Sequence, residues 1–256
     1  MEIIKRIGFF GDTHCGNQWG LTPPNWQGKG PLVKGIALEF WDWYKSTTMD
    51  LPLLDLAVGV GDLIDGPGRK GTMEHITTDL GEQREMAKIC LDLVPTKEWV
   101  FVRGTGYHVT TATEEEDGLA KDMGGKIFNE LNINVEGKRI NVFHKGRRTS
   151  SPGGQPSQTY KEMVRKQIMA DIQGKDAPDL VVRAHIHTYV EVHQRSKIAM
   201  SNPALELPFG AYGRGLFTQY YDLGFTVANI TASGKIIIVP YFLPIEMQDN
   251  EGEIYV

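Results

Sequence analysis

The chain is poor in cysteine, has no excess of positive charge and contains no long apolar run. Two cysteines, Cys15 and Cys90, in 256 residues cannot build a disulfide framework and fit a reducing compartment. They also disfavour a single structural zinc, because such sites prefer several cysteines at short spacings. A net charge of -5 and a pI near 5.8 argue against holding long nucleic acid by bulk electrostatics, while leaving room for a local basic patch. The longest apolar stretch, residues 51–60, contains Asp55 and a proline and is too short to span a bilayer. No basic region, apolar core and cleavage site open the sequence, so the expectation is a cytoplasmic protein with no membrane partner. Repeats and low-complexity tracts are also missing, and residues 1–256 are read as one domain with a large core.

What is present is a recurring pattern of apolar runs that stop at an Asp or a His. Residues 3–10 lead into Gly11-Asp12-Thr13-His14, and residues 54–60 into Gly61-Asp62-Leu63-Ile64-Asp65-Gly66. Residues 99–102 lead into Arg103-Gly104-Thr105-Gly106-Tyr107-His108, residues 141–143 into His144-Lys145-Gly146, and residues 180–183 into Ala184-His185-Ile186-His187. Open α/β sheets bind their ligands outside the carboxyl ends of the strands, so five such ends predict one site.

Between these runs lie helical periods. Ile36, Ala37, Phe40, Trp41 and Tyr44 share one face, and Met86, Ala87, Cys90, Leu93 and Val94 form a second stripe stopped by Pro95. Tyr160, Val164, Ile168 and Ile172 mark a third helix at four-residue spacing. Alternating strands and helices indicate an α/β fold. Thr113 followed by Glu114, Glu115, Glu116 and Asp117 reads as a helix start, the acids facing the positive end of the dipole. Gly137 is expected to turn a hairpin, and Ala232-Ser233-Gly234 another, in a β-rich carboxyl-terminal part. The turn-rich segment 17–35 holds Trp19, Leu21 and Trp26, which either pack on their own loop or wall a substrate site.

The chemistry lies in the histidines. Of seven, five (His14, His108, His144, His185 and His187) fall at strand ends, and only His75 and His193 do not. Imidazole with carboxylate suits manganese, iron, zinc or cobalt better than calcium or magnesium. A carboxylate such as Asp62 can bridge two such ions, which then lower the pKa of a bound water and clamp the oxygens of a phosphoryl transfer. His185 and His187 would point to opposite faces of an extended strand, so a turn must bring both to the centre.

These motifs resemble the calcineurin-like metallophosphoesterase superfamily, whose pattern runs D-x-H, G-D-x-x-D, G-N-H-[DE], a histidine before glycine, and G-H-x-H. The match extends from residue 3 to about 190. The resemblance implies an α/β/β/α sandwich and two divalent ions, among manganese, iron, zinc, nickel or cobalt, with manganese chosen for activity. It implies Asp12, His14, Asp62 and His187 as ligands of the first ion, Asp62 as the bridge, and His144 and His185 on the second. Asp65 is expected to support the loop from behind. The third motif departs: Thr105 stands where the family has Asn, and His108 arrives two residues late. If Gly104 and Gly106 let the loop bulge, His108 still reaches the leaving group as general acid or charge stabiliser. The second ion is then expected to be held more weakly.

The expected activity is hydrolysis of phosphomono- or diesters by in-line attack of a bridging hydroxide. Nucleotides, short nucleic acid and phosphoproteins remain open as substrates, and the oligomeric state is left open too. Arg147 and Arg148, beside His144, are candidates for holding a phosphate bidentately, or they sit on a solvated loop. The rival reading is a catalytically weak or inactive scaffold acting in protein interaction, supported by the altered third motif. His108→Ala is expected to lose most turnover while keeping bound metal; an unchanged kcat removes its catalytic role.

Overall fold

The structure, a computed structural model, describes residues 1–27, 34–67, 74–106, 113–149, 151–209 and 221–243. The strands form two mixed sheets. In the larger, β1 (Ile3–Phe10), β2 (Leu56–Gly59), β3 (Trp99–Val102) and β4 (Lys126–Phe128) run parallel in that order, and β10 (Gly224–Thr231) and β11 (Ile236–Phe242) extend it antiparallel beyond β1. The smaller sheet has the order β5 (Leu131–Val135), β6 (Lys138–Lys145), β7 (Leu180–Ala184), β9 (Lys197–Ser201), β8 (Val190–Gln194), with β6, β7 and β9 parallel.

Side-chain alternation sorts the core into layers. Ile7 and Phe9 of β1, Val58 of β2, and Val100 and Val102 of β3 meet Ile140 and Val142 of β6, Leu180 and Val182 of β7, and Ile198 and Met200 of β9. That cluster fills the space between the sheets. The other face of the larger sheet, with Phe10, Ala57, Trp99 and Phe101, packs against α1 (Lys34–Met49), α2 (Leu80–Asp92) and α3 (Thr113–Asp122). On the far side, Met163 of α4 (Gln155–Ile172) meets Val181 and Ala199 of the smaller sheet. The result is the α/β/β/α sandwich that the resemblance implies. No described helix is long and apolar enough to cross a membrane.

Two helical stripes differ from expectation. In α1, Ala37, Phe40, Trp41 and Tyr44 are buried as anticipated, but Ile36 is exposed. In α4 the apolar spacing misidentifies the inner face: Thr159, Met163 and Ala170 are buried, whereas Ile168 and Ile172 face outward. Met163 packs on Val181 and Ala199 of the smaller sheet. That helix also starts at Gln155, whereas the Gly- and Pro-containing sequence of residues 147–158 reads as an irregular stretch. Asp79 caps α2, accepting from the amides of Gly81 (2.8 Å) and Glu82 (3.2 Å). Both hairpins form, at Glu136-Gly137 between β5 and β6 and at residues 232–235 between β10 and β11. Cys15 and Cys90 are free and buried, and both thiols reach the Leu21 carbonyl, at 3.2 and 3.7 Å.

Phe9 is fully buried between the sheets. Phe9→Ala is expected to destabilise the protein by about 3–5 kcal/mol, read as a lower urea midpoint with an unchanged slope.

Candidate metal centre

The loops after β1 and β2 continue side by side beyond their strands. The amide of Asp12 donates to Gly61 O (3.0 Å), that of His14 to Asp62 O (3.1 Å), and that of Cys15 to Leu63 O (3.2 Å). The loop after β7 joins them from the other sheet, through the His185 amide and Asp12 Oδ2 (3.0 Å). This course needs left-handed backbone. Seven described non-glycine residues have positive φ, and five of them are Asp12 (50°), His14 (43°), Asp62 (49°), His185 (73°) and His187 (55°). The other two, Glu136 and Arg195, sit in the turns of hairpins. A non-glycine residue held there costs roughly 1–3 kcal/mol, and such strain gathers at functional sites. His185 and His187 thus reach one centre because neither lies in an extended strand.

Two groups of donor atoms result: Asp12, His14 and His187 in one, Asp62, His144 and His185 in the other. In the first, Asp12 Oδ1 lies 3.3 Å from His187 Nε2 and 3.9 Å from His14 Nε2. In the second, Asp62 Oδ2 lies 2.9 Å from His144 Nε2 and 3.8 Å from His185 Nδ1. The groups adjoin, with His144 Nε2 4.0 Å from Asp12 Oδ1. Neither of these two atoms makes a hydrogen bond, although both are shut from solvent. Buried donors and acceptors are normally satisfied, so atoms left over and aimed at one point fit a cation.

Outer partners fix the tautomers. His144 Nδ1 meets Val60 O at 2.6 Å and His14 Nδ1 meets Asp65 Oδ1 at 3.2 Å. A carbonyl and a carboxylate only accept, so Nδ1 carries the hydrogen in each ring. His187 Nδ1 meets the Tyr221 hydroxyl at 3.0 Å, and that hydroxyl donates to Glu206 O, so it accepts from His187. All three rings therefore turn Nε2 inward, the nitrogen that must be free of its proton to bind a metal.

Electrostatics follow from burial. Burial opposes the Asp12 carboxylate, yet His187 nearby holds its pKa below the usual value. Burial likewise opposes a charged His144, but Asp62, with Asp12 behind it, pushes that pKa up to about 9. His14 rises well above the usual value against the same burial, through Glu206 and Asp65, whereas burial prevails at His187 and lowers it.

The structure brings together six of the seven residues expected as ligands or catalyst; His108 lies outside the described residues. Asp62 stands with the second group, whereas the resemblance also assigns it to the first. Its Oδ1 is taken by the Thr105 amide (2.6 Å), with the Thr105 hydroxyl 3.3 Å from Oδ1 and 3.2 Å from Oδ2. Thr105 thus grips the carboxylate of Asp62. Asp65 does more than support a turn: besides His14 it faces Asn17 Nδ2 (3.2 Å) and His75 Nε2 (2.8 Å). Arg147 is 55% exposed in its side chain and pairs with Glu162 of α4 at 3.2 Å; Arg148 is also exposed.

Sequence reasoning missed Glu116 and Glu206. Glu116 is buried, unlike the half-exposed Glu115 and Asp117 beside it, and accepts from the amides of Gly104 (3.0 Å) and Leu63 (3.3 Å). It therefore staples the second and third loops together. The two loops meet at glycines, for a Cβ on Gly61 would lie 2.7 Å from Gly104 Cα, and one on Gly104 would lie 2.1 Å from Asp62 Oδ1. Burial and the charge of Asp62 raise Glu116 to about 7 despite its two amide donors. Glu206 Oε2 lies 3.4 Å from His187 Nδ1 and 3.8 Å from His14 Nε2. Burial raises Glu206 to about 8; His14 opposes this, and Asp65, Asp12 and Asp62 add to it. No spacing in the sequence marks either residue.

No family model and no curated protein matches the chain. Among solved structures, it is similar to vacuolar protein sorting 29 from Cryptosporidium parvum, at 11% identity and a TM-score of 0.49, over 94% of this chain and 99% of that one. It is also similar to Vps29 from Entamoeba histolytica complexed with Zn+2, at 11% identity and 0.45, over 93% and 98%. An archaeal phosphodiesterase gives 10% identity and 0.43, over 92% and 99%. The layers described above are the α/β/β/α sandwich that the sequence resemblance implies.

Glu116→Ala leaves two buried amides without an acceptor and is expected to cost about 2–4 kcal/mol at pH 5. Because the folded-state pKa of about 7 exceeds the ordinary 4.5, the stabilisation from Glu116 is present at low pH and lost as pH rises through 7. The gap between wild type and variant in urea midpoint is therefore expected to be narrower at pH 8.5 than at pH 5.

Proposed function

We propose that the protein is a phosphoesterase that works with two divalent cations. The observation that carries this reading is the convergence of Asp12, His14 and His187 beside Asp62, His144 and His185, with Asp12 Oδ1 and His144 Nε2 buried and without hydrogen bonds. The mixed imidazole and carboxylate donors suit manganese, iron, zinc, nickel or cobalt, and manganese is our choice for activity. When bound, such a pair supplies positive charge to a phosphoryl group and lowers the pKa of nearby water.

The chain's own residues set the geometry. Asp12 and Asp62 provide the negative charge, and Val60 O, Asp65 and Tyr221 hold three imidazoles with Nε2 inward. His185 is the least enclosed of the six, 27% exposed in its side chain while Asp12, Asp62, His144 and His187 are almost fully covered. Substrate therefore approaches from the His185 side. The reading includes direct in-line attack by water at phosphorus, with no covalent enzyme intermediate, and His108 as general acid or charge stabiliser. Nucleotides, short nucleic acid and phosphoproteins are the substrate classes we propose, acted on in the cytoplasm by a single-domain protein.

One observation favours the rival reading as a weak or inactive scaffold. Thr105 directs both its amide and its hydroxyl to Asp62, so its hydroxyl is engaged with a carboxylate where the family places an Asn ligand. Hydrolysis of aryl phosphate mono- and diesters with manganese separates the two. We expect turnover in the wild type and a loss of more than about 100-fold in Asp62→Asn, beyond the effect typical of outer partners. A wild-type protein that binds two ions and hydrolyses neither ester is the scaffold.

A further inference from the structure

Glu206 lies outside every motif and is buried against the first donor group. Its segment is clamped to the loop after β1. The Leu205 amide donates to Asp12 O (3.1 Å), the Leu207 amide to Trp19 O (2.7 Å), and Glu206 itself bridges to Gly20. Gly20 must be glycine for this, because a Cβ there would lie 2.1 Å from His14 O. Among the described residues, the ion-pair partners of Glu206 are both histidines of the first group, His14 and His187.

The contact with His187 is double. Glu206 Oε2 faces His187 Nδ1 directly at 3.4 Å. The main-chain carbonyl of Glu206 also accepts from the Tyr221 hydroxyl, whose oxygen faces the same Nδ1 at 3.0 Å. One residue thus places a carboxyl oxygen beside the Nδ1–H and anchors the phenol that accepts from it. Both contacts lie on the side of the ring away from Asp12, which faces Nε2 at 3.3 Å. A carboxylate behind a ligating imidazole fixes the ring and strengthens the opposite nitrogen as a donor.

We propose that Glu206 is the positioning residue of the first group, holding His187 with Nε2 aimed at a divalent cation; this rests on the metal reading above. The nearly isosteric Glu206→Gln keeps an acceptor and cannot ionise. Cobalt titrations followed by visible absorption and by calorimetry test it, without reference to turnover. The expected result is two ions bound in both proteins, with affinity at one of them 10–100-fold weaker in the variant and the cobalt bands unmoved. Affinities within twofold of wild type at both ions overturn the proposal. A shift of the bands also overturns it, because Glu206 is then itself a ligand. Failure of the wild type to bind cobalt defeats the metal reading, and this proposal with it.

Discussion

Two carboxylates with no exposure to water, Asp12 and Asp62, stand among four histidines, and the site's architecture is a response to that. Buried charge is costly unless it is paired, and three of the imidazoles beside these carboxylates, His14, His144 and His187, are themselves buried. His144 answers by holding a proton far more tightly than a free imidazole, and His14 does the same. A divalent cation would take the place of those protons, which makes occupancy by metal a competition with hydrogen ions. Asp12 Oδ1 and His144 Nε2, buried and without hydrogen bonds, mark where the two groups meet.

The sandwich brings these groups to one place. Asp12 and Asp62 come from the larger sheet and His144, His185 and His187 from the smaller one, so the distance between the sheets sets the distance between the donors. Packing of Phe9, Val58 and Val102 against Val142 and Val182 fixes that spacing, since interiors packed at crystal density do not yield easily. Within this frame the loops take left-handed turns at five of the six donor residues. Strain of that kind persists only where the surroundings enforce it, here through parallel amide pairings and the Glu116 staple.

The donor residues were legible because each sits at the end of an apolar run, and period and residue type both report that arrangement. The sheet-forming runs were legible for the same reason, as were the hairpins at Gly137 and Gly234. The inner face of α4 was not, because Met163 and Ala170 are weaker signals than the outward Ile168 and Ile172. Glu116 was hidden in an acidic run, where a solvated helix start is the simpler reading. Nothing in the spacing of residues 113–117 says that Glu116 turns toward Gly104 and Leu63.

The sequence by itself determined which Asp and His side chains stand at strand ends, since strand ends and residue types are local properties. Tertiary structure alone decided how they divide. The placement of Asp62 with His144 and His185, the grip of Thr105 on that carboxylate, the tautomers of three imidazoles and the pairing of Glu206 with His187 all depend on segments far apart in the chain. Such contacts are set by the packing of two sheets and the loops they carry, and no local pattern encodes a distance across that interface.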